Sequence, residues 1–113
     1  MIKEERDTLY LLRISEYCER ITEAVARFGN SFESFVFDAD YRDVICMNIF
    51  QIGELANQLS EEFKESNDNL PWDQMYGIRN RLAHAYIKVD DKIIWDTVQY
   101  DIPKLKEKID EII

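Results

Sequence analysis

The chain has 113 residues and a formal charge of −9, and 46% of its residues are apolar, with six Phe, six Tyr and two Trp among the aromatics. That length suits one domain over 1–113 with a sizeable core; the aromatic content argues against disorder, and the charge argues against a general nucleic-acid coat, which neutralises many phosphates with clustered Lys and Arg. Three Gly and two Pro are few for a turn-rich all-β chain and favour long helices.

In chain order, Tyr10, Ile14, Tyr17, Ile21, Ala24 and Phe28 alternate spacings of four and three, which predicts a first long helix stopped by Gly29 and Asn30. The apolar piece SFESFVFD follows, and Asn30 with Glu33 three residues later predicts a short helical turn. A second long helix is predicted from about Asp40 to Lys64, on the stripe Tyr41, Val44, Ile45, Ile52, Leu55, Leu59 and Phe63, widened by Cys46, Ile49, Phe50 and Ala56. Gly53 in its middle costs about 1 kcal/mol relative to Ala, so a second backbone is expected to approach there, a partner subunit's among the candidates. ESNDN is a loop, and Pro71 opens a third helix, PWDQMYGIRNRLAHA, ending near His84. The last helix is predicted from about Asp90, with Trp95, Val98, Ile102, Leu105, Ile109 and Ile112 inward and a kink at Pro103. The expected fold is all-α, an antiparallel bundle of four main helices with one short extra turn and a kinked C-terminal helix.

Cys18 and Cys46 have neither CxxC spacing nor companion histidines and read as buried thiols of a reducing compartment. The N-terminal stretch MIKEERDTLYLL is too charged for a signal peptide, and no run approaches the roughly 18 apolar residues of a membrane span. The expectation is a cytoplasmic chain without membrane contact. Glu54, Glu61 and Glu62 lack the histidines that helix-bundle iron sites pair with Glu, so neither metal nor cofactor is expected.

The stretch RNRLAHAY, residues 79–86, concentrates the chemistry: the single histidine, two arginines and a tyrosine. His84 is the side chain suited to acid–base work near neutral pH. Arg79 and Arg81 carry planar forks that match phosphate oxygens. On a helix, Asn80 and Arg81 share a face with His84, whereas Arg79 lies about 140° away at a step of roughly 100° per residue. Arg79 and His84 therefore meet one ligand only if the helix frays at His84 or a second subunit faces it. Such groups suit RNA cleavage without a metal: a base for the 2′-hydroxyl, an acid for the leaving oxygen, a cation for the phosphorane. One histidine serves awkwardly as both base and acid, and a symmetric dimer supplies two. The plainer reading is a helix C-terminus with a dipole-stabilised imidazolium and two surface arginines.

Arg79-Asn80-Arg81-Leu82-Ala83-His84-Ala85-Tyr86 resembles the Arg-x4-His-x-Tyr motif of the HEPN superfamily, in particular its HepT-like toxins. NIFQIGELANQLSEEF resembles that family's Ile-Gly-Glu-Ala helix, with Leu55 where Ala is frequent, and LPWDQMYGIRNRLAHAY and IKVDDKIIWDTVQYDIPKLKEKI resemble its following segments. The match runs in order over residues 44 to 112. The resemblance implies a helical homodimer with the motif helices facing, acting as a metal-independent ribonuclease without cofactor. Arg79 and His84 would be catalytic, with Asn80 supporting them; Arg81 supports as a further phosphate-matching fork, and Glu54 reads either as a supporting carboxylate or as a plain buried polar residue. It also implies a toxin–antitoxin pairing with a minimal nucleotidyltransferase (MNT) that transfers AMP to Tyr86, with RNA, tRNA by family expectation, as substrate.

Residues 79–92 hold four cations against two carboxylates, a local charge of +2 within the −9 chain, so strongly salt-dependent RNA contact is expected there. Two rivals stand beside this reading: a HEPN module that binds nucleotide or substrate for a transferase without cutting, and a purely structural dimer capped by Arg79 and His84.

Overall fold

A computed structural model describes residues 5–113; residues 1–4, the start of the stretch judged too charged for a signal peptide, lie outside it. Helix α1 covers Glu5–Phe28. It stops at Gly29, whose φ of 115° is open to glycine and whose N–H reaches the Val25 carbonyl at 3.0 Å. The expected helical turn is α2, Phe32–Phe37, but its cap is Ser31 in place of Asn30: the Ser31 hydroxyl accepts from the Ser34 N–H at 3.0 Å.

The predicted helix from Asp40 to Lys64 is two helices, α3 (Ala39–Gln58) and α4 (Glu61–Ser66). Leu59 and Ser60 both turn to ψ 148° between them. The cause is a cap that the apolar stripe does not reveal. Ser60 Oγ accepts from the Phe63 N–H at 3.2 Å and donates to the buried Asp7 carboxylate at 2.6 Å, which also accepts the Ser60 N–H at 2.9 Å. Leu59 and Phe63 stay in the core on either side, so the stripe continues through the break.

Helix α5 covers Trp72–Ala85, with Pro71 just ahead of it, and a 3-10 turn follows over Tyr86–Lys88. The last helix begins where expected, with Asp90 capping α6, Asp91–Asp96. The interruption attributed to Pro103 takes the form of a π-helical turn, Thr97–Asp101, before α7, Ile102–Ile112. Proline has no N–H for the regular ladder, and the turn ahead of it widens so that the Ile102 N–H reaches back to the Thr97 carbonyl.

Among the described residues the elements are helical, and they form the expected bundle. Helix α3 packs between α1 and α5, α7 lies against α1, and α2 covers α3 and α6. Leu11, Ile14, Ile45, Ile52, Met75, Ile94 and Leu105 are fully buried. Tyr41 is the centre of an aromatic cluster, stacked on Phe28 at 4.9 Å and edge-on to Phe35 and Trp95, and its hydroxyl donates to the Gly29 carbonyl at 3.0 Å. Val44, placed in the inward stripe by spacing, is instead partly exposed. Both cysteines are buried free thiols; burial pushes Cys18 up to about 12 and Cys46 up to about 11, so both stay protonated. Among the described residues no helix is long and apolar enough to cross a membrane.

Gly53 sets the position of the helix that carries the motif. A β-carbon there would lie 2.5 Å from both the Met75 carbonyl oxygen and Arg79 Cβ. The second backbone anticipated at Gly53 therefore belongs to α5 of the same chain, and no partner subunit is needed to account for the glycine.

Candidate functional site on the two sides of helix α5

Because α5 crosses α3 at Gly53, Arg79 lies directly over α3 and its side chain meets the next residue, Glu54. Glu54 Oε2 accepts from Arg79 Nε at 3.1 Å and from Nη2 at 2.7 Å, and Asn80 Oδ1 accepts from Nη1 at 2.9 Å. The guanidinium also lies 5.0 Å from the Phe50 ring centre and 5.9 Å from that of Tyr76. Three of its five N–H groups are engaged, leaving one hydrogen on each Nη. That is a cation held in one orientation with two donors to spare, the geometry that recognises a phosphate.

Helix α5 continues to Ala85 without fraying, so His84 stays on another side of the helix, as the sequence spacing predicts. It is exposed and lines a cavity of about 550 Å³ with Asn80, Arg81, Lys88, Val89, Asp90 and Ile93. Arg81 and Lys88 make that cavity cationic, while the Asp90 carboxylate is engaged in capping α6 through the Lys92 N–H at 2.8 Å. Asn80 belongs to both settings: its carbonyl oxygen holds Arg79 and its side chain borders the His84 cavity. A single chain thus joins Arg79 and His84 through Asn80 but does not gather them in one cavity.

Tyr86 opens on a third setting. It is 37% exposed, and its hydroxyl donates to the Asp43 carboxylate. The Arg42 guanidinium sits 4.8 Å over its ring, donates to Asp91 at 2.7 Å, and braces the turn through the Tyr86 and Val89 carbonyls at 3.2 Å each. Burial, then the Asp43 hydrogen bond, raises the phenol's pKa well above the ordinary tyrosine value. Tyr86 lines a second cavity of about 550 Å³ with Asp43, Cys46, Met47, Phe50 and Leu82. Arg81 and Lys88, the cations nearest Tyr86 in the sequence, line the other cavity instead. The link to Arg79 runs through Phe50, which borders the Tyr86 cavity and carries the Arg79 guanidinium.

Arg42, Asp43 and Phe50 are the residues that sequence reasoning missed. Arg42 and Asp43 stand in the first turns of α3, more than 40 positions from Tyr86, and no spacing rule ties them to it.

The family model for "Ribonuclease HepT-like" matches residues 14–112. The chain belongs to that family. Among its relatives, the "Putative RNase" of Caldanaerobacter subterraneus subsp. tengcongensis is 36% identical over 104 residues, covering 92% of this chain and 91% of the relative. The "Probable ribonuclease HepT" of Thermococcus cleftensis is 34% identical over 103 residues, covering 91% and 92%. A "Putative RNase" of Methanocaldococcus jannaschii is 31% identical over 91 residues, covering 73% of this chain and 84% of the relative. The comparison with solved structures gives no match. The HepT-like assignment agrees with the resemblance carried by residues 79–86, and its match begins well before residue 44, taking in most of α1.

Proposed function

We propose that this HepT-like chain is an endoribonuclease toxin that cuts RNA without a metal ion and works as a homodimer. The observation that carries the reading is Arg79, fixed by Glu54 and Asn80 with two N–H groups left over, on the helix whose other side presents His84 among Arg81 and Lys88. In this scheme His84 takes the proton from a 2′-hydroxyl, and the 2′-oxygen attacks the adjacent phosphorus. Arg79 stabilises the charge that develops on the phosphorane oxygens. The leaving 5′-oxygen receives its proton from His84 of a second copy, leaving a 2′,3′-cyclic phosphate. Exposed Met47, on the Tyr86 cavity, and exposed Ile87, next to Tyr86 in the chain, support burial of this end of the molecule against another copy.

The cognate nucleotidyltransferase of such a toxin would transfer AMP to Tyr86. The attached nucleotide starts at the rim of the cavity lined by Met47 and Phe50, and its phosphate and base would crowd the Arg79 guanidinium across Phe50. Inhibition then acts on the Arg79 side of α5, with tRNA as the expected RNA class.

Purified protein in excess EDTA should cut RNA and leave cyclic phosphate ends; abolition by EDTA overturns the mechanism. At constant total chain concentration, an exchanged equal mixture of wild-type and His84→Ala chains should show roughly a quarter of the all-wild-type activity if each dimer needs two histidines, against about half if each chain works alone.

A further inference from the structure

Tyr86 is not a bare surface phenol. Its hydroxyl points at a carboxylate on a different helix, its ring is clamped under Arg42, and the turn that carries it is held by the same guanidinium through two carbonyls. Asp43 is itself exposed and its carboxylate takes no other hydrogen bond among the described residues, whereas Asp91 is occupied by Arg42. We propose that Asp43 is the general base for nucleotidylation of Tyr86, so that this chain supplies some of the catalytic apparatus for its own modification. This inference rests on the reading of Tyr86 as the modified residue.

Tyr86 Oη attacks the α-phosphorus of a nucleoside triphosphate brought by the transferase, forming the Oη–P bond. The bond from that phosphorus to the bridging oxygen breaks, and pyrophosphate leaves. The phenolic proton passes to the Asp43 carboxylate. Attack by the free phenolate is disfavoured here, because burial and the neighbouring carboxylate keep the phenol protonated at neutral pH. A base already hydrogen-bonded to the nucleophile removes that obstacle, since the proton leaves as the bond to phosphorus forms. Arg42 and Cys46 are the other titratable groups beside Tyr86, and Asp91 is held by Arg42; Arg42 is cationic and Cys46 a protonated thiol, so neither competes for the proton.

The test uses the full chain, a purified minimal nucleotidyltransferase of the MNT class, ATP and Mg²⁺, with intact mass followed in time. Asp43→Asn keeps an acceptor for the phenol and removes the base. It should take up AMP about 100-fold more slowly than wild type, in the range of general-base terms. Its rate should climb about tenfold per pH unit, following phenolate, while the wild-type rate, measured with the same transferase, does not. Asp43→Glu should recover some of the loss, and circular dichroism should show unchanged helicity in both variants. Equal rates and pH profiles for wild type and Asp43→Asn overturn this inference alone. Wild type that takes up AMP only at residues other than Tyr86, or none at all, overturns it together with the reading on which it rests.

Discussion

Arg79 and His84 are five positions apart on one helix and are prepared to very different degrees. Arg79 is fixed by three hydrogen bonds and two rings, over a glycine that lets its backbone approach α3. His84 stands exposed at the edge of an open cavity, and no hydrogen bond orients its ring among the described residues. A stabiliser of charge works best when its orientation is set before the substrate arrives, because reorganisation is then avoided. A proton carrier has to change protonation state and partner during the cycle, and an imidazole fixed in one hydrogen bond would resist that. The difference also separates what a lone chain completes from what it leaves open: the cation is held in place, and in the proposed mechanism His84 gains its partners from RNA and a second copy.

The largest effects are expected where this contrast is erased. His84→Ala and Arg79→Ala should each lower RNA cleavage by about two to four orders of magnitude with helicity intact. Only the His84 variant should respond to added imidazole, because a diffusing base can enter an open cavity. Rescue of the Arg79 variant by imidazole would break the comparison. Gly53→Ala comes next. The new methyl meets the Met75 carbonyl, which is backbone and cannot step aside without moving α5. A loss of about 1–3 kcal/mol in denaturant unfolding is expected, with cleavage reduced further than the lost stability explains. Glu54→Gln is milder: the pair is partly exposed, so stability should change by less than about 1 kcal/mol, but a looser guanidinium should lower kcat roughly tenfold. Unchanged kcat would mean that Arg79 needs no positioning.

The smallest effect belongs to a control at the α1–α7 contact. Lys106 first, then Ser15, hold the Asp110 carboxyl below the usual carboxylate range. A depressed folded pKa stabilises above the unfolded value, and that contribution is lost as pH falls through the folded one. Asp110→Asn should therefore be less stable than wild type near neutral pH, by under about 1 kcal/mol for so exposed a pair, and the two should converge on acidification. Cleavage should not change.

The sequence was legible wherever local pattern decides structure. The stripes of α1 and the last helix, the opening of α5 at Pro71, the stop at Gly29 and the start at Asp90 were read from spacing and caps alone. The break at Leu59 was not, because Leu55, Leu59 and Phe63 keep helical register through it and the deciding carboxylate, Asp7, lies 53 residues away. At the site, spacing gave the angular separation of Arg79 from His84, and the family resemblance gave Glu54 as a supporting carboxylate. Neither could give Asp43, which meets Tyr86 across 43 residues of chain. Gly53 was recognised as a point of close approach, but periodicity cannot say which backbone arrives.

That glycine has a genetic side. Every amino acid reachable from a glycine codon by one base change carries a β-carbon, and at this position any β-carbon collides with α5. Codon 53 therefore has no conservative neighbour: a single base change that replaces the glycine alters the seat of Arg79. If the chain is the toxin proposed above, that codon is a one-step route to silence, and mutants that escape its toxicity should recur at it.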